Sequence, residues 1–178
     1  MNTIKSLVIL SIILFASKVS AQQISSVDLQ VTGLTCSMCS QATDESLRTL
    51  DFIETIEPDL NKNIFVLTFK KDKAVDFDQI KTKVEDAGFS VGNLDAVFNF
   101  SNTKVDDKGL AIAGTNVYQF LNAKDKTLNG PVKATVVDKD FMSGSAFKKK
   151  ATQVSLESYK TGSGMVNGKM TRIYHLST

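Results

Sequence analysis

Two cysteines, one histidine, no tryptophan and a formal charge of +2 over 178 residues narrow the reading at once. Two cysteines are too few for a disulfide scaffold, so an apolar core has to hold the fold. A near-neutral charge gives no reason to invoke nucleic acid or an anionic lipid surface. A single histidine with no G-x-S-x-G stretch leaves a hydrolytic triad without support.

The chain starts with Lys5 and the apolar run 7–16 (LVILSIILFA), interrupted only by Ser11, and then reaches the small residues Ser20-Ala21. That is the layout of a secretory signal, residues 1–21, cleaved between Ala21 and Gln22. A run of this length is about half of what a bilayer span requires. Losing Lys5 and Lys18 with the signal takes the formal +2 to zero. No second long apolar stretch follows, so the expectation is a secreted or periplasmic protein with no membrane insertion after cleavage, in a compartment where disulfides persist.

Residues 27–31 (VDLQV) alternate apolar and polar, which predicts a half-buried strand ended by Gly33. Ala42, Leu47 and Leu50 keep helical spacing and predict a helix over 37–50. Residues 52–57 and 64–70 are rich in β-branched and aromatic side chains around the turn formers of 59–63, giving a hairpin. Asp76 reads as an N-cap for a second helix whose face is Phe77, Ile80, Val84 and Ala87, with Gly88 as its stop. Residues 94–100 (LDAVFNF) alternate again. The fold class is therefore α+β: a ferredoxin-like βαββαβ domain over residues 22–100, a four-stranded antiparallel sheet covered on one face by two helices.

From residue 101 the pattern changes. Seven of the ten glycines fall between 109 and 168, and strands are predicted at 110–112, 116–122, 132–138, 154–159 and 169–176. Asn129-Gly130-Pro131 reads as a turn, and 145–152 as one short helix. Several short strands with frequent turn signals predict a second domain over 101–178, a small β-rich sandwich or barrel of unknown role.

The chemistry concentrates at residues 33–42 (GLTCSMCSQA). Cys36 and Cys39 can converge at a strand-to-helix junction, where the positive end of the helix lowers the pKa of a thiol such as Cys39. Thiolate sulfur selects soft ions, Cu(I) above all, with Zn(II) accepted and hard ions excluded. Two ligands suit low-coordinate Cu(I), whereas a closed zinc site takes four, and His175 lies at the far end of the chain. Two other uses stay open: a thiol–disulfide redox protein, and a protein-interaction module in which the pair is an inert disulfide. Against the redox use, Thr35 precedes the pair, Ser37-Met38 intervene, and Pro58 and Pro131 are the only prolines.

Residues 26–100 resemble the heavy-metal-associated domain of copper chaperones, copper-transporting ATPases and periplasmic mercury-binding proteins. The resemblance rests on G-L-T-C-S-M-C at 33–39, on Ile53 and Ile56, on IFVLTF at 64–69, and on Asp86-Ala87-Gly88-Phe89. It implies that Cys36 and Cys39 are metal ligands for Cu(I), with Zn(II) or Hg(II) as ions the same pair accepts. It also implies a metal-transfer or membrane-transport protein as partner, and exchange of metal without enzymatic catalysis. Leu34 stands where the family carries methionine, a volume-conserving exchange beneath the loop. Phe89 falls near the metal, where it either shields the site or belongs to the core. The resemblance does not extend past residue 100.

Three further features have ordinary explanations. Met165, Met170 and His175 are soft-metal side chains, but their spacing reads as scattered core and surface positions unless a turn at Asn167-Gly168 gathers them. Lys148-Lys149-Lys150 reads as a solvated helix face. Asp106-Asp107 and Asp138-Lys139-Asp140 read as turn formers.

Overall fold

The computed structural model describes residues 23–178; the expected signal and its cleavage point lie outside them. The first six elements follow the expected order: β1 (Ile24–Thr32), α1 (Ser37–Arg48), β2 (Ile53–Asp59), β3 (Ile64–Phe69), α2 (Phe77–Asp86) and β4 (Ser90–Val105). Their strands lie in the order β2-β3-β1-β4, every pair antiparallel, as in a ferredoxin-like fold. Both helices start on side-chain caps. Asp76 accepts from the backbone N–H of Asp78 and Gln79 at 2.9 and 3.2 Å, and Cys36 caps α1 with its sulfur. One face of each helix is buried: Thr43 and Leu47 in α1, Phe77, Ile80 and Val84 in α2. No described helix is long and apolar enough to cross a membrane.

The β-rich C-terminal half does not close on itself as a sandwich or barrel; its strands extend the first sheet. In an isolated four-stranded sheet β4 would be an edge, with a row of unpaired N–H and C=O groups. Here β4 runs through position 100 to Val105, and β7 (Lys126–Val136) pairs with it antiparallel. Beyond β7 come β9 (Lys169–Ser177), β6 (Asn116–Phe120) and β5 (Leu110–Ala113), giving β2-β3-β1-β4-β7-β9-β6-β5. The last strand, β8 (Ser163–Val166), is a hairpin partner of β9 only. β6 and β9 are parallel, with Val117 opposite Ile173 and Phe120 opposite Leu176. One apolar core runs from Ile24 to Leu176 and includes Phe100, and β4 continues through Phe100 and Ser101.

Two local expectations are corrected. Residues 154–159 are not a strand; α4 (Glu157–Thr161) occupies part of them and ends on Gly162 at φ 72°. The alternation of Val154 and Leu156 with Ser155 and Glu157 imitates a strand, but a helical turn buries Tyr159 completely and lets its O–H donate to the Val137 carbonyl at 2.6 Å. Phe147, on α3 (Gly144–Ala151), stacks on Tyr159 at 5.2 Å between centroids. Asn129-Gly130-Pro131 is not a turn before β7 but lies within it, at a register shift between Phe100 and Thr103 of β4. An irregular pairing tolerates a proline without N–H and a glycine at positive φ, which a regular ladder does not.

The C-terminal half is fastened to α2. Arg172 of β9 donates from Nε and Nη2 to both oxygens of Asp78, at 2.8 and 3.3 Å. The Tyr174 hydroxyl donates to Asp78 at 3.1 Å and its ring packs edge-on against Phe77 at 5.2 Å. Burial raises the Asp78 carboxyl, but the hydrogen bond and charge of Arg172 outweigh it and hold the group below the usual carboxylate range. Burial and the facing Asp78 charge push the Tyr174 phenol far up.

Candidate metal centre

The loop between β1 and α1 carries the cysteines. Gly33 leaves β1 at φ 92°, a conformation L side chains rarely adopt. A Cβ there would stand 3.5 Å from the Phe89 ring. That ring and Leu34 are partly buried against the core, so they floor the loop and leave Thr35, Cys36, Ser37 and Met38 exposed. Met38, between the cysteines, is 76% exposed, so the residue facing solvent at the centre of the site is a thioether.

Cys36 is the N-cap of α1 in extended conformation, φ −151° and ψ 161°. Its sulfur accepts the Cys39 N–H at 3.2 Å, and its carbonyl accepts from Cys39 and Ser40 at 3.1 and 3.3 Å. No acidic side chain occupies the first turn of α1, so the positive end of the helix is left to stabilise negative charge on sulfur. Below, buried Thr43 donates from Oγ1 to the Cys39 carbonyl at 3.1 Å and anchors the turn. The Cα atoms of Cys36 and Cys39 are 5.3 Å apart and the two sulfurs form a disulfide. Among the described residues no group of three or more His, Cys, Asp or Glu side chains gathers as a metal cage, so no third such donor joins the pair. Reduced, the arrangement offers two thiolates on an exposed rim over an apolar floor.

Residues 28–90 match the family model of the heavy-metal-associated domain. The chain carries a heavy-metal-associated domain. Three solved structures align with the same part. The CopZ metallochaperone is 27% identical, with 38% of this chain and 98% of that one covered, at a TM-score of 0.35. The yeast copper transporter domain Ccc2a, solved apo and Cu(I)-loaded, is 33% identical over 38% of this chain and 90% of its own, at 0.34. The Atx1–Cu(I)–Ccc2a complex gives 33% identity, the same coverages and 0.33. No curated protein matches the chain.

The second candidate set separates. His175 is fully buried in β9; its Nδ1 bonds to Asp138 Oδ1 at 2.6 Å and its Nε2 to the Ser158 hydroxyl at 3.0 Å. Asp138 also accepts the His175 backbone N–H at 2.9 Å, so the residue read as a turn former is a buried acceptor. Serine, imidazole and carboxylate in a row resemble the order of a hydrolytic triad. The adjacent cleft, about 340 Å³, is lined by Asp138 but by neither Ser158 nor His175. The row clamps α4 to β9 across the 138 loop. Sequence could not find it, because its members lie 37 and 17 residues from His175. Met165 and Met170 remain on the surface.

Proposed function

We propose that this is an exported metal-transfer or sequestration protein that takes Cu(I) as cargo on the reduced thiolates of Cys36 and Cys39. The observation that carries the reading is the position of the pair inside the heavy-metal-associated domain: two sulfurs at the exposed, positive start of α1, with no further His, Cys, Asp or Glu ligand gathered beside them. Such a site favours a soft ion of low coordination number over Zn(II), which closes its structural sites with four ligands. The signal-like sequence before Gln22 supports export, and in an oxidising compartment Cys36 and Cys39 would have to be reduced before they bind metal.

The chemistry is ligand exchange, not enzymatic catalysis. An exposed two-coordinate ion admits a thiolate of an incoming metal-transfer or transport protein as a third ligand. One original sulfur then leaves, and the ion passes over without entering water. Met38 on the rim and the apolar floor of Leu34 and Phe89 keep the site accessible on one side and dry on the other.

The test is competition for Cu(I) against a chromogenic chelator under anaerobic conditions, with Zn(II) and Hg(II) in parallel. The reduced chain should take about one Cu(I), and the C36S/C39S variant should lose affinity by more than ~10³-fold. Equal retention of Cu(I) by that variant sinks the reading. Turnover of a disulfide substrate by the wild type would replace it with the redox function.

A further inference from the structure

We propose a second soft-metal site on this chain, formed by the thioethers of Met165 and Met170 at the tip of the β8–β9 hairpin, that binds Cu(I) or its analogue Ag(I) while Cys36 and Cys39 are oxidised. Asn167 and Gly168, at φ 50° and 78°, form the two-residue turn. Left-handed angles at both central residues are the signature of a type I′ turn, which Asn-Gly favours. Val166 and Lys169 flank it, and Met165 lies directly opposite Met170 in the register. Antiparallel ladders alternate, so the pair after the one that closes the turn is the non-hydrogen-bonded pair, where facing side chains approach most closely. The two methionines therefore leave one face of the hairpin side by side.

Neither is held there by packing. They are 64% and 62% exposed and pack on neither apolar core, whereas Val166, on the opposite face of the hairpin, is buried against Val117 and Ile173. The pair stands on a ridge: Met165 borders a cleft shared with Leu110 and Ile112, and Met170 borders the cleft of Asp138 and Arg172. A pair of long, flexible thioethers can close on one ion without moving the backbone. Thioethers are soft donors with the same preference as thiolates, but they carry no proton to lose and form no disulfide. A site made of them keeps working under the conditions that remove Cys36 and Cys39 from metal binding.

The cysteine reading and this one fail separately, because the experiment keeps the disulfide intact. The chain from Gln22 onward, oxidised and labelled with ¹³C in the methionine methyl groups, is titrated with Ag(I), which needs no reductant. The expected result is about one Ag(I) per chain, with the Met165 and Met170 methyl signals moving together while those of Met38 and Met142 stay. M165L/M170L, volume-conserving and on an exposed hairpin, should keep the amide spectrum of the fold and lose binding by at least tenfold; each single variant should weaken it. Absence of Ag(I) binding by the oxidised chain overturns the proposal. So does binding that survives the double substitution, or a shift confined to Met38.

Discussion

The β2-to-β4 side of the sheet and the β7-to-β5 side share one core but are closed by different means. The first side is a set of antiparallel pairs capped by α1 and α2, and its cysteine loop makes its backbone bonds within the loop and the first turn of α1. The second is held by contacts between distant residues: parallel β6 and β9, the buried Asp138–His175 pair, and Arg172 on Asp78. The lesson is a division of labour. Changes at the exposed loop should move metal affinity and leave the fold almost unchanged, while changes on the far side should move stability and leave the loop's chemistry alone.

The sharpest way to break that division is Asp138→Ala. It strips His175, which is fully buried, of both its Nδ1 partner and its backbone acceptor. Leaving a buried polar network half satisfied should cost about 3–5 kcal/mol of unfolding free energy. Urea unfolding should show that loss, while Cu(I) affinity of the reduced protein at a temperature where it is folded stays within twofold.

Alkali should unfold the protein through the same region. Tyr118 and Tyr174 are pushed far up, chiefly by burial, and Tyr159 is pushed to about 12 by burial and the Asp138 charge. Between pH 10, the ordinary phenol value, and 12 the unfolded chain releases a proton that folded Tyr159 keeps. Stability therefore falls as pH rises, by up to about 1.4 kcal/mol per unit for each such tyrosine. Equilibrium unfolding at pH 9, 10 and 11 should show the decline, and Tyr159→Phe should make it shallower.

A smaller effect is expected from Arg172→Met. Both partners of the Asp78 pair keep about a third of their side-chain surface exposed, 32% and 39%, so screening limits the loss to about 1–2 kcal/mol. The Asp78 carboxyl sits below its ordinary value in the fold. Its contribution is present at neutral pH and disappears as pH falls through the depressed value, and the variant should lose that acid limb. Thermal unfolding of both proteins at pH 7 and pH 3 measures the difference.

The near side of the molecule was legible in the sequence because its signals are local. Asp76 caps α2, the 59–63 turn joins β2 and β3, and the alternation of IFVLTF tracks the buried and half-buried residues of β3. The cysteine pair announced itself by spacing and by the glycine before it. On the far side the determinants are separated in the chain. Nothing around Val117 tells that Ile173 will lie beside it in parallel, and nothing around Asp138 names His175. Val154 to Tyr159 misled because a five-residue helix draws its stability from Tyr159 packing, not from its own periodicity. Asn167-Gly168 is the exception, a local turn signal that placed two distant-looking methionines opposite each other.

The most direct test of the central claim, metal exchange at a redox-controlled cysteine pair, is an amide NMR titration with Cu(I) in the absence of air. In the reduced protein the first equivalent of Cu(I) should move the signals of residues 33–41 and of the neighbourhood of Phe89, ahead of those of the Met165–Met170 hairpin. After Cys36 and Cys39 are reoxidised, those same signals should stop responding. Loop signals that shift equally in both redox states, or that never shift, would contradict the account.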